Sequence, residues 1–90
     1  MAKAIKEAVS IPVLAANLIR SPEQAEAQLQ EGTQDMISLG RPHIADPHWA
    51  NKAQAEKAED IKRCVCCLYC IESMQNNAYS GDHGYCAVNP

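Results

Sequence analysis

The stretch "IPVLAANLIRSPEQAEAQLQEGTQDMISLG", residues 11–40, decides the fold. Its first segment, "IPVLAA" at 11–16, is apolar without alternation, as a parallel strand covered on both faces requires. Pro12 lacks a backbone donor and is tolerated at the start of such a strand. "SPEQ" at 21–24 then supplies a helix start: Ser21 can cap, Pro22 suits the first helical position, and Gln24 can complete a capping box. The helix is expected to run to about Glu31 and to stop at Gly32. "DMISLG", residues 35–40, reads as a second apolar strand. Strand, helix, strand is the order of a right-handed parallel α/β unit.

Upstream, Ala4, Ile5, Ala8 and Val9 share one helical stripe while Lys3, Lys6 and Glu7 face away, which predicts the end of an amphipathic helix. Downstream the character changes. "RPHIADPHWANKA" at 41–53 holds two prolines and irregular polarity, residues 54–61 read as a charged helix, and "NNAYSGDHGY" at 76–85 reads as a turn-rich loop. Two parallel strands cannot by themselves make a sheet with covered faces and no open edges, so the unit requires neighbours that these residues do not supply. The sequence reads as a piece of something larger, and its exposed strand edges as places where copies of the chain can associate.

A chain of 90 residues with a net charge of −3 and interspersed signs lacks the basic footprint of a nucleic-acid binder. The longest apolar run, residues 11–19, is too short to span a bilayer and contains Asn17. Glu7 and the short run behind it do not make a signal peptide, so the expected location is the cytoplasm, with no membrane partner. In a reducing compartment closely spaced cysteines favour metal or redox chemistry over disulfides, and an odd count of 5 opposes complete pairing.

Four of those cysteines fall in "KRCVCCLYC", residues 62–70, and the fifth, Cys86, in "HGYCAVNP". Cys64, Cys67 and Cys70 follow C-x2-C-x2-C, and Cys86 comes after 15 intervening residues. A cubane cluster needs four thiolates from different directions, and three local ligands with one remote ligand meet that need. Structural zinc remains the alternative, although four-cysteine zinc sites usually pair two C-x2-C knuckles. Cys66 breaks the pattern: if the segment is locally helical it points about 200° away from Cys64, and it reads as a free thiol. His83, three residues before Cys86, reads as a polar loop residue.

"IPVLAAN", "SPEQAEAQLQEGTQDMISLGRPHIADPHWANKA", "IKRCVCCLYC" and "CAVNP" together resemble the closing part of the NADH:flavin oxidoreductases related to Old Yellow Enzyme. The cysteines resemble those of the iron–sulfur branch, which includes 2,4-dienoyl-CoA reductase, trimethylamine dehydrogenase and the 2-enoate reductases. The resemblance implies an α/β fold, the last two βα units of a (β/α)8 TIM barrel at residues 1–61, followed by an irregular cluster-binding extension at 62–90. Phosphate in such barrels is held by the last two βα loops. By residue match Ala16 and Asn17 occupy the first FMN-phosphate turn, and Gly40 and Arg41 the second. The residues themselves allow a plain turn with a solvated arginine at 40–42; the resemblance favours a charge-assisted phosphate contact from Arg41.

The implied metal ligands are Cys64, Cys67, Cys70 and Cys86, holding a 4Fe–4S cluster. Two positions depart from the family pattern: Ala16 where glycine is common, and Cys66 where a small residue is common. No catalytic residue is expected in the chain. His43 and His48 read as surface or helix-start residues, and Trp49 as an anchor for the extension. The implied partners are the rest of the barrel and a downstream nucleotide-binding domain for FAD and NAD(P)H, so the isolated chain is expected to be inactive. The opposing reading is a free-standing metal-binding electron-transfer module without flavin.

Overall fold

A computed structural model describes residues 1–16 and 18–90, which form two compact units, Met1–Gly40 and Arg41–Pro90. This division at 40/41 does not coincide with the boundary at 61/62 expected from the sequence. In the first unit the order is α1 (Ala2–Ala8), β1 (Leu14–Ala15), α2 (Pro22–Gln30) and β2 (Met36–Ile37). The strands pair in parallel, Leu14 opposite Met36 and Ala15 opposite Ile37. Both are shorter than their apolar runs. Side chains on the approach to β2 supplement the pairing: the Val13 N–H donates to Asp35 Oδ2 at 2.8 Å and the Ala15 N–H to Gln34 Oε1 at 2.7 Å. Gln34 is buried and donates through Nε2 to Gln28 Oε1 at 2.8 Å, which leaves neither end of its amide unpaired.

The ends of α2 follow from local chemistry. Ser21 Oγ accepts the Gln24 N–H at 3.2 Å, as an N-cap should. Gln24 Oε1 reaches back to the Arg20 N–H at 3.0 Å, one residue earlier than in a standard capping box. At the other end Gly32 takes φ 71°, its N–H donates to the Leu29 carbonyl, and Thr33 N–H donates to the Gln28 carbonyl. Those two bonds close the helix in a Schellman motif, whose left-handed residue favours glycine. Ile19 and Ala25 are the buried apolar residues of this unit. Ile5, Ile11, Leu14 and Met36 remain exposed, so the α1 stripe and part of the strand surface have no cover.

The second unit comprises α3 (Arg41–Ala45), α4 (Trp49–Gln54), a 3-10 turn at Ala58–Asp60 and α5 (Tyr69–Asn77). The charged helix expected at 54–61 is corrected: the helical turn lies earlier, in α4, and the chain then turns left-handed at Glu56, φ 60°. The cause is Asp46, whose carboxylate is 2% exposed and organises the segment. Its Oδ1 accepts the His48 N–H at 3.0 Å, and its Oδ2 accepts Lys52 Nζ at 2.6 Å and the Lys62 N–H at 3.0 Å. Residues that read as irregular are therefore fixed by one carboxylate that starts α4 and receives the chain entering the cysteine segment.

Lys52 and then the Lys62 N–H hold the Asp46 carboxyl at about 2, below its ordinary value of 3.8. A depressed folded-state value stabilises the fold above the unfolded value and loses that contribution as pH falls through the folded value. We expect wild type to lose stability between about pH 4 and pH 2, and Asp46→Asn to show a flattened dependence there, in denaturant titrations followed by circular dichroism. An unchanged acid limb in the variant would remove Asp46 from this role.

Helix α5 was not legible in the density of cysteines. It buries Cys70 and Ser73, and Ser73 Oγ accepts the Tyr85 N–H at 2.8 Å. Asn77 Nδ2 donates to the His83 carbonyl at 2.8 Å, so the turn-rich loop is strapped along α5. Among the described residues no helix is long and apolar enough to cross a membrane.

A candidate four-thiol metal centre

The cysteine segment begins from fixed points: Ile61 is buried and the Lys62 N–H sits on Asp46. Residues 62–68 then run without regular structure, with Cys66 at φ 59° and Leu68 at φ 64°. Left-handed backbone at two non-glycine residues is uncommon and bends the chain sharply. The bend carries Cys64 and Cys67 to one side, and α5 then presents Cys70 in its first turn. The turn at 86–89 brings the fourth thiol. It is closed by the Asn89 N–H on the Cys86 carbonyl at 3.2 Å, and Asn89 Nδ2 donates to the Ile44 carbonyl of α3 at 3.1 Å.

These elements surround a small hollow lined by Cys64, Cys67, Cys70 and Cys86. Val65, Leu68, Ala87 and Val88 make the rest of the wall apolar, and Arg41 completes it. Cys66 is half-buried and does not line the hollow. Its separation does not come from helical rotation, since the segment is not helical; the left-handed turn at Cys66 itself sets it apart. The Cys66 N–H instead lies 3.4 Å from Cys64 Sγ.

Four thiols of this kind are ligands both of structural zinc and of iron–sulfur clusters. A single zinc with sulfur bonds of about 2.3 Å requires thiolates roughly 3.8 Å apart. Among the described residues no three His, Cys, Asp or Glu side chains are close enough to share one metal ion. Cys64, Cys67, Cys70 and Cys86 line a common space rather than meeting at one point. His83 takes no part: its Nδ1 pairs with Asp82 Oδ1 at 3.0 Å and its side chain is largely exposed.

The phosphate-turn residues are distributed differently. Ala16 and Gly40 lie in the first unit, both exposed, and Arg41 is the first residue of α3 in the second. Asn17 lies outside the described residues. A Cβ built on Gly40 would meet nothing within 4 Å, so the space over its backbone is open, as a phosphate approach requires. Arg41, read from the sequence as a phosphate contact, stands in the wall of the thiol hollow. His43 and His48 are exposed, and Trp49 is buried. Sequence reasoning missed Asp46 and Gln34. The first carried a signal, since aspartate before Pro47 favours a turn in which its side chain accepts the N–H two residues on.

The first unit is a parallel strand–helix–strand unit of α/β type, and the second gathers four thiols around one hollow. Residues 1–60 match the model of the NADH:flavin oxidoreductase / NADH oxidase family, and the chain belongs to that family. It is 37% identical over its whole length to an NADH oxidase of Thermoanaerobacter brockii, covering 14% of that protein. It is 34% identical, over 96% of the chain, to a cinnamate reductase of Clostridium sporogenes, covering 12% of it. Among solved structures, 6-hydroxypseudooxynicotine amine oxidase from Pseudomonas geniculata N1 superposes with a TM-score of 0.83 at 31% identity, over 98% of this chain and 13% of that one. The chain thus corresponds to a small part of each relative, and what it shares with them is an oxidoreductase fragment of the FMN family.

Proposed function

We propose that the chain is the carboxy-terminal part of the flavin barrel, with the cluster-binding extension, of an NAD(P)H-dependent oxidoreductase resembling enoate and dienoyl-CoA reductases. Cys64, Cys67, Cys70 and Cys86 hold a 4Fe–4S cluster, and Ala16, Asn17, Gly40 and Arg41 contribute to the FMN-phosphate site. The observation that carries this reading is the single hollow lined by the four cysteines of the C-x2-C-x2-C…C pattern and not by Cys66. The exposed strand residues Leu14 and Met36 support it, because their surface is what further barrel strands and helices would cover. The rest of the barrel is accordingly the first partner, a downstream domain binding FAD and NAD(P)H the second, and the location cytoplasmic.

When bound, the cluster supplies one-electron transfer. The chain's residues prepare for it. Val65, Leu68, Ala87 and Val88 line the hollow beside the sulfurs, the Cys66 N–H donates toward Cys64 Sγ, and Asn89 fixes the turn that delivers Cys86. Anaerobic reconstitution of the chain is expected to give about four iron and four sulfide per chain with a brown chromophore, and no retained FMN. Stoichiometric zinc without sulfide would sink the cluster assignment, and tight FMN on these residues alone would contradict the need for the rest of the barrel.

A further inference from the structure

We propose that Arg41 is the counter-charge of the group held by the four cysteines; the inference rests on reading those thiols as a cluster site. The wall of the hollow contains four thiols, four aliphatic residues and one cation, Arg41. Its residue is half-buried, and among the described residues no carboxylate stands within ion-pair distance of it. The other lysines and arginines of the unit are occupied or exposed: Lys52 is held by Asp46 at 2.6 Å, while Lys57, Lys62 and Arg63 are exposed and do not line the hollow.

A guanidinium keeps its charge at any pH a folded protein meets, and partial burial without an anion costs it hydration. Four thiolates outweigh the charge of the iron core, so the bound group is an anion, and reduction adds one further negative charge. A fixed cation beside it therefore stabilises the reduced state more than the oxidised state. The step is balanced by one electron from an external reductant, with no bond made or broken and no proton moved. Arg41 acts here as a positioning residue that sets the potential.

The test compares wild type, Arg41→Gln and Arg41→Lys in the cluster-loaded, flavin-free holoprotein, so that no phosphate contact contributes. Dithionite titration with mediators, read by electron paramagnetic resonance of the reduced cluster, gives the midpoint. In Arg41→Gln the reduced-to-oxidised ratio at a fixed potential should fall about tenfold, a midpoint about 59 mV lower, with iron unchanged. Arg41→Lys should retain most of the wild-type value. Iron lost from Arg41→Gln but kept in Arg41→Lys would support the same conclusion, since charge separates the two. An unchanged midpoint in Arg41→Gln would overturn it, as would equal loss of iron from both variants, which would mark a role in folding. Wild type without iron would overturn the cluster assignment itself and this inference with it.

Discussion

Serine at Cys64, Cys67, Cys70 or Cys86, introduced one at a time, will remove most of the reconstituted iron and sulfide, whereas Cys66→Ser will leave the content near wild type. The four thiols line one hollow and Cys66 does not. Serine keeps the volume but replaces a thiolate with a hydroxyl that is a poor ligand for cluster iron, and a cubane short of one ligand is exposed to solvent and oxidant. The expected fall is at least about tenfold in bound iron, since loss of even a supporting contact around a metal costs roughly 10–100-fold in affinity. Iron and sulfide assays, with circular dichroism to establish that each variant is folded, provide the measurement. Cys70→Ser is the most demanding case because Cys70 is buried in α5 and also contributes to packing. Equal iron in Cys66→Ser and lost iron in the other four is the expected pattern; loss in Cys66→Ser alone would reassign the ligands.

The second large effect concerns flavin. In the complete enzyme Arg41→Ala is expected to weaken FMN retention about ten- to a hundredfold, because a charge-assisted hydrogen bond to a phosphate is worth roughly 1.5–3 kcal/mol. The comparison is the Kd of FMN for deflavinated wild type and variant, with iron measured in parallel. Unchanged FMN affinity would return residues 40–42 to the plain turn with a solvated arginine. The flavin measurement and the potential of the flavin-free protein are separate readouts, so Arg41 can serve the phosphate, the cluster or both, and each part stands or falls alone.

Local rules were legible in the sequence where neighbours along the chain supply the interaction. The start of α2 followed from Ser21, Pro22 and Gln24, and its end from Gly32, because caps and left-handed turns are made by residues within five positions of one another. The parallel pairing of β1 and β2 followed from uninterrupted apolarity on both sides of a helix of the right length. The cysteine spacing singled out four thiols, and those four line one hollow; the match over residues 1–60 established the family.

What only the tertiary structure decided depends on contacts between residues far apart in sequence. Asp46 is an unremarkable acidic residue in the chain; folded, it joins His48, Lys52 and Lys62, and the helix beside it spans Trp49–Gln54 rather than 54–61. Helix α5 was hidden because its two buried positions, Cys70 and Ser73, face the 83–86 strap and a thiol hollow rather than an apolar core, so no hydrophobic period announced it. Cys66 was set aside by a left-handed backbone that no side-chain pattern encodes. Arg41 and Cys86 lie 45 positions apart, and only the bond from Asn89 to the Ile44 carbonyl, which holds the last turn of the chain against α3, shows how both come to line one wall.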